Sequence, residues 1–99
     1  MKLKALIVVA TFKARRGQEA ALCAALTALI EPAREEEGCL NYDLHVALDN
    51  KGHFMFHQSW ISKAHLDAHL SHPPIQNLIP KLEKLCESTP DLKLWDKIV

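Results

Sequence analysis

Apolar positions change period along the chain. Leu3 to Phe12 (LKALIVVATF) is almost continuously apolar and rich in β-branched residues, the pattern of a strand covered on both faces. From Gln18 the period lengthens. Leu22, Leu26, Leu29, Ile30 and Ala33 then fall on one face of a helix. Pro32 lies inside that run and lacks a backbone donor, which predicts a kink or an end and restart there. Gly38 is a natural C-terminal cap. Leu40 to Leu48 alternates, with Leu40, Tyr42, Leu44, Val46 and Leu48 on one face and Asn41, Asp43, His45 and Ala47 on the other. Asp49-Asn50-Lys51-Gly52 has turn composition. His53 to Trp60 follows as a second alternating strand, with Phe54, Phe56, Gln58 and Trp60 sharing a face. A tight turn that pairs Leu48 with His53 places Asn41 opposite Trp60 and His45 opposite Phe56. Asn41, Asp43 and His45 then share the face of Phe54, Phe56, Gln58 and Trp60. A slip of one residue exchanges the two faces.

Ser62 is a good N-cap for a helix over Lys63–Ser71, which carries His65 and His69 four residues apart. Pro73-Pro74 stops it. Ile75 to Glu87 again has helical spacing, with Pro80 limiting its start, and Asp91 to Val99 reads as a last strand. The order β-α-β-β-α-β over a single domain, residues 1–99, predicts an α+β fold. It is a ferredoxin-like sandwich, an antiparallel four-stranded sheet with helices on one face. Because both faces of the first strand are apolar, the uncovered face of the sheet predicts a homodimer packed sheet to sheet.

Composition narrows the function. The 99 residues carry 12 Lys and Arg against 12 Asp and Glu, so the formal net charge is zero. A nucleic-acid binder or a polybasic membrane anchor needs a basic excess. No apolar run approaches the roughly 18 residues of a membrane-spanning helix. Ala5 to Ala10 is too short for the core of a signal peptide, which points to a cytoplasmic protein. Three cysteines (Cys23, Cys39, Cys86) without a C-x-x-C read as reduced thiols rather than a zinc site. Three scattered glycines exclude a phosphate-cradling loop. His65, His69 and His72 could line one side of a helix, but no H-E-x-x-H pattern accompanies them and no metal is expected. Arg34-Glu35-Glu36-Glu37 reads as a solvated helix end.

Glu37-Gly38-Cys39-Leu40-Asn41-Tyr42 resembles the E-x-G-C-x-x-Y passage of small antibiotic-biosynthesis-type monooxygenases. Gln58-x-Trp60, followed by Ala64-His65-Leu66-Asp67-Ala68-His69-Leu70 and His72-Pro73, resembles their E-x-W … A-H-L-x-x-H-x-x-x-P passage. The resemblance spans nearly the whole chain. It implies a dimeric α/β barrel and a family that includes quinol and anthrone oxygenases working without metal or flavin, haem-degrading relatives, and members that isomerise or only bind small molecules. Two positions depart from it. Gln58 stands where the family usually has Glu, and Ala10 stands near the place of the Asn that haem breakdown uses, although His69 is a counterpart of the haem-degrading histidine.

The resemblance therefore implies oxidation of a quinol or polycyclic phenol by O2, with no cofactor. Such chemistry asks for a base, an apolar wall and exclusion of water. His69 is the candidate base, because imidazole titrates near neutrality and can take and return a proton. Trp60 offers a ring to stack on a flat substrate and one indole donor. Phe54 and Phe56 could extend that wall, Gln58 adds a polar group, and Asn41 could orient a quinol oxygen. The other readings stay open at this point. Trp60, Phe54 and Phe56 could be plain core, His69 a core-satisfying histidine, and the protein a non-catalytic binding module or a haem-degrading relative.

Overall fold

The computed structural model describes residues 5–99. The elements run β1 (Leu6–Lys13), α1 (Glu19–Thr27), α2 (Ile30–Arg34), β2 (Cys39–Ala47), β3 (Asn50–Trp60), α3 (Lys63–Ser71), α4 (Pro73–Leu85) and β4 (Asp91–Asp96). Leu3 and Lys4 of the first predicted strand lie outside the described residues. The strands form one antiparallel sheet in the order β2-β3-β1-β4, the ferredoxin-like α+β arrangement. Strand β1 pairs with β3 on one side and β4 on the other, so its backbone is saturated, which suits its β-branched sequence. Its inward residues Val8, Ala10 and Phe12 pack under the helices with Leu22, Leu26, Tyr42, Phe56, Trp60 and Leu66. Leu22 and Leu26 have no exposed surface, and burying each stabilises the fold by about 2 kcal/mol. No helix among the described residues is long and apolar enough to cross a membrane.

The prolines act one step away from where periodicity suggests. Pro32 lies in the first turn of α2, where its missing donor has no helical partner to lose. Its ring excludes the carbonyl four residues back, so the helix breaks at Ala28–Leu29 instead of kinking at Pro32. Pro73 and Pro74 do not merely stop α3; they open α4 at its first positions, where a fixed φ is favourable. Pro80 lies inside α4 on its exposed side and does not set its start.

The hairpin also departs from expectation. Leu48 and Asp49 alone form the turn, and Ala47 pairs with Asn50. The register then shifts, so that Val46 faces Phe54 and Tyr42 faces Gln58. The extra residues, Lys51 to His53, form a bulge on β3. This is the one-residue slip that exchanges the faces of β2. Tyr42 and Leu44 point to the helices; Asn41, Asp43 and His45 point away.

Gly38 ends the connection from α2 to β2 and packs against the start of α3. It has φ +84°, and a Cβ there would overlap the ring of His65. The Gly38 carbonyl accepts from the Ile61 amide at 2.9 Å, and the His65 ring is held by Ser62, Nδ1 to Oγ 2.7 Å. Ser62 also caps α3 by accepting from the His65 amide. Gly17 has a similar φ of +87° but open space around it. The two glycines therefore separate backbone strain from packing. Gly17→Ala is expected to cost about 1 kcal/mol, the left-handed penalty alone, and Gly38→Ala about 1–3 kcal/mol more. Urea midpoints of the two variants check this; equal losses would contradict the His65 contact as the reason for Gly38.

Candidate active site

A cavity of about 260 Å³ lies between sheet and helices. The sheet contributes Ala10 and Phe12 of β1, Tyr42 of β2, and Phe56 and Gln58 of β3. The helical side contributes Leu29, His69, Leu70, Ile75, Leu78, Ile79 and Leu82, and Pro90, Asp91 and Leu92 complete the rim at the start of β4. The volume falls just under the range of about 300–1,000 Å³ usual for ligand pockets. It suits one or two rings and is smaller than a porphyrin.

His69 reaches the cavity wall through local geometry. It lies one helical turn after His65, on the side of α3 that faces the connection from α2 to β2. The contact between Gly38 and His65 fixes that connection, and Glu36 then meets His69. His69 Nδ1 lies 2.9 Å from Oε2 and 3.1 Å from Oε1 of Glu36. His72 Nδ1 lies 3.0 Å from the same Oε1. The Glu36 side chain is only 11% exposed, so it is not part of a solvated helix end. Arg34 is occupied as well: its Nε donates to the Tyr42 carbonyl and its Nη2 to Asp43 Oδ1.

A carboxylate can only accept, so the facing Nδ1 of His69 carries a proton. In neutral imidazole the other nitrogen is then bare. His69 is 2% exposed, and its Nε2 is, among the described residues, the one buried side-chain nitrogen or oxygen without a hydrogen-bond partner. Such an atom in a folded protein calls for an explanation. The three histidines of the α3 region do not converge: His65 turns to Ser62 and Glu37, while His69 and His72 turn to Glu36.

The other candidates separate. Phe56 and Gln58 line the cavity; Phe54 is buried further along β3 and does not. Trp60 is fully buried and lines no part of the cavity, so its ring has no free face for a substrate. One side lies against His69, centroids 4.7 Å apart, and the indole nitrogen donates to Gln58 Oε1 at 2.7 Å. Asn41 is on the opposite face of the sheet, a consequence of the register slip. There its Nδ2 donates to Asp43 Oδ2 at 2.9 Å and to the His57 carbonyl at 3.0 Å.

Tyr42 takes the inward place, 4.7 Å from Phe56 and 5.2 Å from His69 between ring centroids. The alternation of Leu40, Tyr42 and Leu44 already pointed inward, but the assumed turn overrode it. Burial, and then the charge of Glu36, push the Tyr42 phenol well above its ordinary range. The same two causes, burial first, raise the Cys39 thiol. Glu36 carried no signal beyond a local charge run, because its partner lies 33 residues away.

Tyr42 is the only tyrosine. Its ionisation at alkaline pH therefore reports this site alone. A phenol whose pKa is raised on folding contributes stability that is complete below the unfolded value, about 10, and is lost as pH rises through the folded value. Absorbance near 295 nm should show no tyrosinate in the native chain as pH passes 10, and its appearance should coincide with unfolding. Titration near pH 10 with the fold intact would contradict the buried placement.

The family model for antibiotic biosynthesis monooxygenases matches residues 5–81. The chain is 37% identical to the Mycobacterium tuberculosis protein Rv0793, whose name carries a provisional monooxygenase assignment, over 71% of this chain and 68% of that one. The crystal structure of Rv0793 superposes with a TM-score of 0.91, covering 97% of each chain at 28% identity. A Shewanella oneidensis protein of known crystal structure superposes with a TM-score of 0.92 at 29% identity, covering 97% of this chain and 93% of that one. An uncharacterized Synechocystis protein is 24% identical over 91% of this chain, which spans only 61% of that relative's length. With most of its length matched by the family model and its fold shared with these structures, the chain belongs to the antibiotic biosynthesis monooxygenase family.

Proposed function

We propose that the chain is a cofactor-independent monooxygenase that oxidises a one- or two-ring quinol or phenol with O2 in this cavity. The observation that carries the reading is the buried Nε2 of His69, without a hydrogen-bond partner, in a cavity lined mainly by apolar side chains. Nδ1 is committed to Glu36, so Nε2 is the atom available to a substrate hydroxyl. Proton transfer to it leaves a phenolate, which gives one electron to O2. Superoxide and the phenoxyl radical recombine at a ring carbon that bears hydrogen. The imidazolium returns its proton to the peroxide, and loss of water leaves a new carbonyl. One oxygen atom enters the ring, the other leaves as water, and the substrate supplies all four electrons. Glu36 stabilises the imidazolium while it exists, as a carboxylate behind a catalytic histidine does. Apolar walls keep water from the anion and the radicals. Trp60 acts by position: it backs the His69 ring and holds Gln58.

A second copy on the open face of the sheet belongs to the same proposal. No helix covers that face, and the register places Ile7, Val9, Met55 and Trp95 along it. Trp95 is 49% exposed, and the neighbouring tail leaves Ile98 and Val99 more exposed still. Exposed apolar residues of this kind mark an interface.

Oxygen consumption with a panel of benzoquinols and naphthoquinols tests the chemistry. One member should be turned over, and His69→Ala should slow it by about 10²–10⁴-fold, the usual contribution of a general base. Glu36→Gln should slow it at least tenfold without loss of fold. Unchanged turnover in His69→Ala would remove the base from the reading, and a tightly held phenol with no oxygen uptake would point to a binding module. Sedimentation at micromolar concentration should give twice the 11.2 kDa chain mass. A monomer there would leave the open sheet face without its proposed cover.

A further inference from the structure

Two residues on different walls of the cavity have their hydrogen-bonding sense fixed from behind. Glu36 holds the proton of His69 on Nδ1, so the neutral ring offers an acceptor at Nε2. Trp60 does the converse to Gln58. An indole N–H can only donate, so the Gln58 atom 2.7 Å from it must be the carbonyl oxygen. A flipped amide would set NH2 against N–H, donor against donor. The Gln58 carbonyl is taken by the indole, and its NH2 group makes no hydrogen bond among the described residues. Gln58 itself is only 4% exposed, and it lines the cavity. Its NH2 group is thus the polar end that Gln58 has left to offer a molecule in the cavity. Two further polar groups are present. Tyr42 is held neutral by burial and can donate or accept, so it imposes no sense of its own. Asp91 stands at the rim, where its carboxylate opposes entry of anions.

We infer that the site selects a flat molecule carrying both a hydroxyl, for His69, and a conjugated carbonyl oxygen, for Gln58: a hydroxyketone in preference to a simple phenol. The inference deepens the proposed function in that it assumes the cavity is the ligand site, but it does not require turnover. Gln58 is the specificity-determining residue and Trp60 its positioning residue. The two polarities also cooperate. When the hydroxyl proton passes to His69 Nε2, conjugation moves negative charge onto the carbonyl oxygen. A donor already facing that oxygen stabilises the anion as it forms. Glutamate in place of Gln58 would still accept the indole bond, but it would meet the carbonyl with a negative acceptor.

Three compounds on one bicyclic skeleton test this by calorimetry: 6-hydroxy-1-tetralone, with both groups; 5,6,7,8-tetrahydro-2-naphthol, with the hydroxyl alone; and 1-tetralone, with the carbonyl alone. The hydroxyketone should bind at least about tenfold more tightly than either, the effect of leaving one buried group unpaired. Gln58→Glu should abolish its advantage over the tetrahydronaphthol, while the Trp60 indole N–H resonance stays in its hydrogen-bonded position and reports an intact fold. Should that variant not fold, the Gln58 side-chain NH2 resonances of the unmodified protein decide: they should move with the hydroxyketone and 1-tetralone and stay with the tetrahydronaphthol. Equal affinity for hydroxyketone and tetrahydronaphthol, an unchanged ratio in Gln58→Glu, unmoved NH2 resonances, or no binding of the hydroxyketone each overturns the inference. Absence of oxygen uptake with the quinols, beside a retained hydroxyketone preference, sinks the oxidative reading alone.

Discussion

A carboxylate under the protein surface dictates the site. Glu36 is almost sealed from water, and a buried carboxylate is costly unless its oxygens are satisfied. Two imidazoles satisfy them, His69 from the end of α3 and His72 from the entry to α4. Both histidines lie just before the proline pair that opens α4. What it does chemically is assign protons. Both facing nitrogens must be donors, and the other nitrogen of His69, Nε2, is buried without a partner. The same negative charge helps keep the Tyr42 phenol and the Cys39 thiol protonated. In a cluster that contains a phenol, a thiol and an imidazole, Nε2 is the buried atom left without a partner.

That atom is held in place by layers behind it. Gly38 lets the chain pass close to His65, which anchors the turn carrying Glu36. Trp60 fills the space between His69 and Gln58 and binds the latter. An imidazole on a helix end, backed by an indole and a carboxylate, can keep its orientation in a largely apolar cavity that offers it few other contacts. Trp60 thus matters to the site without touching the cavity, and its burial follows from that role.

Much of this was legible in the sequence, and the failures have definite causes. The α3 helix, with Ser62 as cap, occupies the predicted residues because its cap and apolar spacing are both local signals. The four strands follow from one continuous apolar run and from alternation, but the face of the hairpin that the helices cover stayed open. The hairpin register did not follow, because composition placed the turn at Asp49–Gly52, whereas the chain turns at Leu48–Asp49 and takes up the excess in a bulge. One misplaced turn put Asn41 in the site and left Tyr42 out. Glu36 was unreadable for a different reason: a glutamate in a charge run looks the same whether its partner is water or a histidine on a distant helix. Trp60 and His69 stand out in the sequence, yet spacing could not say which would line the cavity and which would stand behind it.

The register of β2 is therefore more than a detail of the fold. A shift of one residue would replace the Tyr42 ring on the inner face by Asn41 and Asp43, the second of which is bound to Arg34. A carboxylate would then face the apolar wall, where it would either ionise at high cost or neutralise and compete for the substrate hydroxyl. The bulge at Lys51–His53 prevents this, and Gly52 within it is tightly placed. The Gly52 carbonyl accepts from the Ala14 amide at 2.8 Å, and a Cβ on it would press on Glu19 Cγ at 3.0 Å and Ala14 Cβ at 3.4 Å. The absence of a side chain there lets β3 close against the β1–α1 connection, and closure in that position fixes how many residues the bulge absorbs. Sheet register, and with it the choice of Tyr42 over Asn41 and Asp43 on the cavity face, is set at the far end of the hairpin from His69.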